Sequence, residues 1–162
     1  MTKRYLTLIR HASAVSTAPG GDFHRPLKKK GIDKIRSNTR LIIERGYTPD
    51  LIVSSPAVRA LQTAERFMET SELSFLEDEI IIADELYLPS PEEIHRVVKT
   101  IDDSFTDIFI FSHNNGLSYY AQDLCPGTGI IMPTASVVRI EVPELSWSGL
   151  TPGSGSLIDF IP

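Results

Sequence analysis

The sequence predicts an α/β fold, a three-layer α/β/α sandwich with a largely parallel central sheet and an antiparallel C-terminal hairpin. Three observations predict it. The runs Tyr5–Ile9, Asp50–Ser54 and Thr106–Ser112 are apolar at mostly consecutive positions rather than alternate ones, the pattern of strands covered on both faces. Segments with apolar residues at helical spacing lie between such runs, so strands and helices alternate and each parallel strand returns through a helix. The last third instead carries two strand-like runs, 135–142 and 156–161, joined by a loop containing Trp, Gly and Pro. Two strands without an intervening helix pair antiparallel.

The first strand runs straight into Arg10-His11, after which small residues break the pattern. Open α/β sheets bind their ligands beyond the carboxyl ends of strands, so this pair is predicted to face a crevice. A neutral imidazole is a nucleophile toward phosphorus, and a guanidinium offers planar paired donors to phosphate oxygens. A loop rich in Ser, Pro and Gly follows, then Phe23-His24-Arg25-Pro26-Leu27, held extended by Pro26. Arg25 thus sits just before a helix in which Ile32, Ile35, Ile42 and Ile43 recur, with Gly46 as its stop.

The second strand ends at Ser54. Ser55 is a suitable N-cap and Pro56 a first helical residue, with Ala57, Ala60, Leu61, Ala64 and Met68 on the buried face. Arg59 falls in the first turn, where a cation opposes the helix dipole. An anion bound there would remove the conflict. A polar connection over 69–78 leads to a third strand, Glu79–Ala83. Asp84 and Glu85 follow it as candidate proton donors. Ser90-Pro91-Glu92-Glu93 is a capping-box pattern opening a third helix through Ile94, Val97, Val98 and Ile101. The fourth strand repeats the logic of the first, delivering His113 at its end, and a helix over 119–124 closes at Pro126-Gly127.

At 162 residues, 41% hydrophobic and 23% charged, the chain suffices for one domain over 1–162 with a full core. Its net charge of −5 is unevenly spread: residues 1–46 hold eleven Lys or Arg against three acids, and 47–162 hold five against eighteen. An acidic chain with a basic sector, including Lys28-Lys29-Lys30, excludes nucleic acid and suits phosphate groups or an acidic protein surface. The single Cys125 has no intramolecular partner, and Ile131 stands where a cysteine phosphatase loop needs Arg. A buried thiol in a reducing compartment is expected. The N-terminal run is interrupted by Arg10, so neither a signal peptide nor a membrane span is read there, and a cytoplasmic location is expected. His11, His24, His95 and His113 lack metal-ligand spacing. No metal and no cofactor are therefore expected, and Gly127-Thr128-Gly129 lacks the Lys of a nucleotide loop.

Taken together, Leu8-Ile9-Arg10-His11-Ala12, Ser54 to Ala64 and Ser112-His113-Asn114-Asn115-Gly116 resemble, in order, three motifs of the histidine phosphatase superfamily, which includes the phosphoglycerate mutases. Arg25-Pro26-Leu27, Leu124-Cys125-Pro126-Gly127 and the terminal hairpin are similar to the SixA-type phosphohistidine phosphatases. The resemblance implies a histidine phosphatase domain with His11 as nucleophile. It surrounds the phosphoryl oxygens with Arg10, Arg59 and His113, adds Arg25 as a further contact, and leaves Glu85 as a candidate proton donor. A phosphohistidine-bearing protein is the implied substrate, the site holding phosphate or related oxyanions, and the molecule is expected to be a monomer without membrane partners. Two other functions compete: a small-molecule phosphomonoesterase or mutase, and a non-catalytic phosphate-recognition module. Ala12 and Ser13 depart from the family pattern of Gly followed by an acid. Ala12 is tolerable unless the backbone there needs a positive φ.

Overall fold

Along a strand, successive side chains leave on opposite faces, and in this molecule the division is clean. In the computed structural model, which describes residues 3–73, 80–143 and 146–162, β1 (Arg4–Arg10) sends Leu6 and Leu8 to one side and Ile9 to the other. β2 (Leu51–Ser54) and β4 (Asp107–Ser112) do the same, with Leu51, Val53, Ile108 and Ile110 opposite Ile52, Phe109 and Phe111. Two cores result, one on each face of a single six-stranded sheet.

On one face Ile9, Ile52, Phe109 and Phe111 pack against α1 (Lys29–Glu44) through Ile35 and Ile42 and against α2 (Val58–Ser71) through Ala64, Phe67 and Met68. On the other, α3 (Pro91–Lys99) contributes Ile94 and Val98, and α4 (Gly116–Leu124) contributes Leu117, Tyr120 and Leu124. The sheet order is β3-β2-β4-β1-β5-β6, where β3 is Ile80–Ile82, β5 is Val137–Val142 and β6 is Ser156–Ile161. The first four are parallel neighbours, and β5 and β6 add on antiparallel. The three-layer sandwich and terminal hairpin expected from the sequence are both present.

Several element boundaries differ from expectation. α2 begins at Val58 rather than at Pro56, because Ala57 is extended (ψ 138°) and takes the cap position, which has no side chain to cap with; the Ser55 hydroxyl, two residues earlier, accepts from the Ala57 N–H (3.2 Å) and meets His113. α4 starts at Gly116, three residues earlier than expected. β5 starts at Val137, since Ala135 takes a left-handed conformation (φ 65°) and donates its N–H to the carbonyls of Arg10 and His11, each at 3.1 Å. The third helix is capped as expected, Ser90 accepting from the Glu93 N–H at 3.2 Å. Glu79 of the expected third strand, 74–78 of the connection before it and 144–145 of the hairpin loop lie outside the described residues.

One glycine positions the site. α1 packs its first turn against the segment after β1, and a Cβ on Gly31 would overlap the Ser13 carbonyl oxygen. Lys28 N–H donates to that same carbonyl at 2.8 Å. The chain after His11 is thus held directly against α1. No helix among the described residues is long and apolar enough to cross a membrane.

Candidate active site

The register of β1 with β4 pairs Arg10 with Ser112, so the next residue of each strand, His11 and His113, stand side by side at one edge of the sheet. Their rings lie 5.2 Å apart between centroids. Both are buried, His11 8% and His113 1% exposed. The His11 N–H of the main chain donates to Ser112 carbonyl (3.0 Å), which locks the two strand ends together.

The protonation of His11 follows from its partner. Its Nδ1 lies 2.8 Å from the Ala12 carbonyl, which can only accept, so Nδ1 carries the proton and Nε2 keeps its lone pair. Burial pushes its pKa down to about 4, and the nearby cations Arg59, Arg10 and Arg25 push the same way against the Ala12 hydrogen bond. His113 is lowered to about 3, again chiefly by burial and then by His11 and Arg59. At neutral pH both imidazoles are uncharged. The Ser55 hydroxyl meets His113 Nε2 at 2.8 Å, while His113 Nδ1 is buried with no partner.

Two guanidinium groups reach this pair from different elements. Arg10 ends β1 and donates from Nη1 to the Met132 carbonyl at 2.8 Å, and its Nε is buried without an acceptor. Arg59, in the first turn of α2, is 2% exposed, and its Nε is likewise unmatched. No acidic residue lies in that turn. Buried donors without acceptors are costly, and an anion seated among them would satisfy them. The Thr63 hydroxyl joins α2 to the strand end, accepting from the Ala12 N–H (3.0 Å) and donating to the Arg59 carbonyl (2.7 Å).

Asp22 completes the cluster, and nothing in the sequence singled it out. Arg59 donates from Nη1 to the Asp22 carbonyl (2.7 Å) and from Nη2 to its carboxylate (2.9 Å), and Tyr87 donates its hydroxyl to that carboxylate at 2.7 Å. Arg25 reaches the same carboxylate from Nη1 at 2.8 Å while its Nε donates to the Val15 carbonyl at 2.6 Å. These bonds, Tyr87 first, hold the Asp22 carboxyl well below the usual carboxylate range. Arg25 therefore joins the site through Asp22. A spacing of three residues between Asp22 and Arg25 on one 3-10 turn was the available signal. Tyr87 had none: its ring meets His113 edge-on at 5.6 Å between centroids.

Glu85 is not brought to the imidazoles. It is exposed on the 3-10 turn Asp84–Leu86 and lines a groove of about 440 Å³ with Ile81, Val97 and Phe105, making no hydrogen bond to His11, Arg59 or His113. Ala12 is buried and does not belong to the residues with positive φ, so Gly is not required there. Among the described residues no group of three or more His, Cys, Asp or Glu is placed to hold a metal ion.

No protein-family model matches the chain, and no curated protein sequence does. Solved structures do match. The protein histidine phosphatase SixA complexed with tungstate superposes with a TM-score of 0.82 at 21% identity, over 97% of this chain and 96% of that one. The chain has the histidine phosphatase fold. A candidate phosphohistidine phosphatase SixA from Agrobacterium tumefaciens superposes with a TM-score of 0.81 at 24% identity, over 98% and 97% of the two chains. A mycobacterial glucosyl-3-phosphoglycerate phosphatase shares the fold more distantly, with a TM-score of 0.65 at 14% identity over 96% and 97%.

Proposed function

We propose that the protein is a phosphatase that removes the phosphoryl group from phosphohistidine on a partner protein through a covalent intermediate at His11. The observation that carries this reading is the His11 imidazole, with Nδ1–H tied to the Ala12 carbonyl and Nε2 left free beside Arg10, Arg59 and His113. The Nε2 lone pair attacks phosphorus while the N–P bond of the substrate breaks; the departing imidazole takes up a proton from solvent, and His11 keeps its own proton on Nδ1. Water then attacks phosphorus on His11, releasing inorganic phosphate and restoring Nε2. Arg10 and Arg59 neutralise the charge spread over the equatorial oxygens, and the uncommitted Nδ1 of His113 offers a further contact. No step calls on a metal or cofactor.

Two features favour phosphohistidine over a phosphoester. The stretches between Arg59 and Glu85 and between Glu85 and His113 are occupied by α2, β3, α3 and β4, with no inserted cap among the described residues. A site without such a cap suits a side chain presented by another protein. An alkoxide leaving group needs a placed acid, and Glu85 makes no hydrogen bond to His11, Arg59 or His113, whereas imidazole departs readily. Transfer from a substrate His to His11 also exchanges like bonds, so the first step is nearly balanced in energy. The SixA structures that share this fold lend support.

The test is steady-state kinetics on a histidine-phosphorylated phosphotransfer domain and on p-nitrophenyl phosphate. The domain should be turned over with kcat/KM at least about tenfold higher, a difference of about 1.4 kcal/mol. Acid-labile phosphate should accumulate on the wild-type enzyme and be absent from His11→Ala. Equal efficiency on the two substrates would leave a small-molecule phosphomonoesterase. Binding of tungstate without any turnover would leave a phosphate-recognition module.

A further inference from the structure

The site described above makes no use of the lysines of α1. A cleft of about 420 Å³ opens beside them, lined by Ser13, Lys30, Lys34, Pro133, Thr134 and Pro162. Backbone contacts fix where it lies. Ser13 is two residues beyond His11 and accepts from Lys28 N–H at 2.8 Å, and Gly31 packs against it. Across the cleft, Thr134 precedes Ala135, whose N–H bonds the carbonyls of Arg10 and His11. Two residues span at most about 7 Å of chain. The cleft therefore opens at the same edge of the sheet as His11 and begins within about a side chain's length of it.

Its charge is uncompensated. Lys29 is paired with Asp33 at 3.1 Å, but Lys30 and Lys34 are exposed and have no acidic partner among the described residues. They stand one turn apart on one face of α1, where like charges disfavour each other. The rest of the chain accentuates this: residues 1–46 carry a net charge of +8 and residues 47–162 carry −13. An acidic partner is drawn to the two unpaired lysines, which favours its encounter at the cleft.

We infer that the Lys30–Lys34 cleft receives a carboxylate side chain of the substrate protein, so that an acidic face docks there while the adjoining phosphohistidine enters the site at His11. The inference rests on the proposed function and names the chemistry of its partner. A small phosphorylated metabolite gains little from the cleft, because neither His11 nor His113 lines it and one small molecule does not fill both places. A protein surface covers both at once.

The experiment compares wild type with Lys30→Glu/Lys34→Glu on three substrates. These are phosphoramidate, a histidine-phosphorylated phosphotransfer domain with Asp and Glu beside its phosphohistidine, and the same domain with those acids changed to Asn and Gln. On the acidic domain the variant should lose kcat/KM about tenfold or more, carried by KM and diminished at high salt. On phosphoramidate and on the neutralised domain it should stay within about twofold of wild type. An equal loss on phosphoramidate would make the effect structural, and an unchanged KM for the acidic domain would place docking elsewhere. Either result overturns the inference while leaving the proposed function intact. Wild type that hydrolyses phosphoramidate but neither domain would overturn the proposed function and the inference with it.

Discussion

Both terminal nitrogens of Arg59 end on Asp22, and Tyr87 and Arg25 converge on the same carboxylate. Asp22 thus sets the orientation of the guanidinium that faces the imidazoles, without itself touching a reacting atom. Asp22→Asn should lower kcat/KM on phosphoramidate by about tenfold, about 1.4 kcal/mol of transition-state stabilisation, and Asp22→Glu should recover part of it. Unchanged kinetics in the Asn variant would reduce these bonds to surface ion pairs. The two histidines make a prediction of their own. In the unfolded chain each titrates near 6.5, and in the folded protein His11 titrates near 4 and His113 near 3. Between those values the unfolded state binds more protons. Stability is therefore full above pH 6.5 and falls on acidification below it, by up to about 1.4 kcal/mol per pH unit for each histidine. Urea midpoints at pH 7 and pH 5 should differ in that sense, and His113→Asn should remove roughly half the difference.

At the level of elements, the site depends on how closely α1 approaches the chain after β1. Gly31 carries no Cβ because the Ser13 backbone occupies its place. Gly31→Ala forces that contact apart and should destabilise the protein by about 1–3 kcal/mol, the cost of overpacking. It should also lower activity by displacing the segment that leads out of His11, and thermal melting together with phosphoramidate kinetics would show both. α2 offers the complementary lesson. Ser55 meets His113 while Ala57, held extended, becomes the cap position, and the helix starts with Arg59 in a first turn that has neither a side-chain cap nor an acid. A local preference is set aside where the chain holds a polar site.

Across the whole molecule, the antiparallel hairpin is fastened to the parallel part of the sheet by Arg139. From β5 it donates to Thr7 in β1 (2.9 Å) and to both carboxylate oxygens of Asp107 in β4 (2.9 and 2.6 Å). The rings of Tyr5 and Tyr47 stack on its guanidinium at 4.4 and 4.3 Å. Burial already pushes the Asp107 carboxyl up against the pull of Arg139. Arg139→Leu would leave that partly buried carboxylate unpaired, and should cost up to about 3 kcal/mol in urea unfolding. Adding Asp107→Leu should return much of the loss, since replacing both members of a buried pair by apolar groups is far cheaper than removing one. Failure of the double variant to recover would assign the effect to the tyrosine stacking instead.

The strands, the helices and the strand-end positions of Arg10, His11 and His113 were legible in the chain because they depend on local order. Apolar runs, helical spacing and breakers act over a few residues, and Arg59 stood out by opposing the dipole of its own helix. Element starts were less legible: Ser55 has the chemistry of a cap, and only a histidine 58 positions away diverts it. The partners of Arg59 were not legible at all. Asp22 lies 37 residues from Arg59 and 65 from Tyr87, and no local signal relates side chains at such separations. What brings them together is the sheet order, which sets β4 between β1 and β2 and gathers their carboxyl ends at one edge. Local pattern suffices to say which residues stand at the ends of strands. Which of them meet depends on the folded sheet, because register and strand order are settled by packing two apolar faces at once rather than by any single segment.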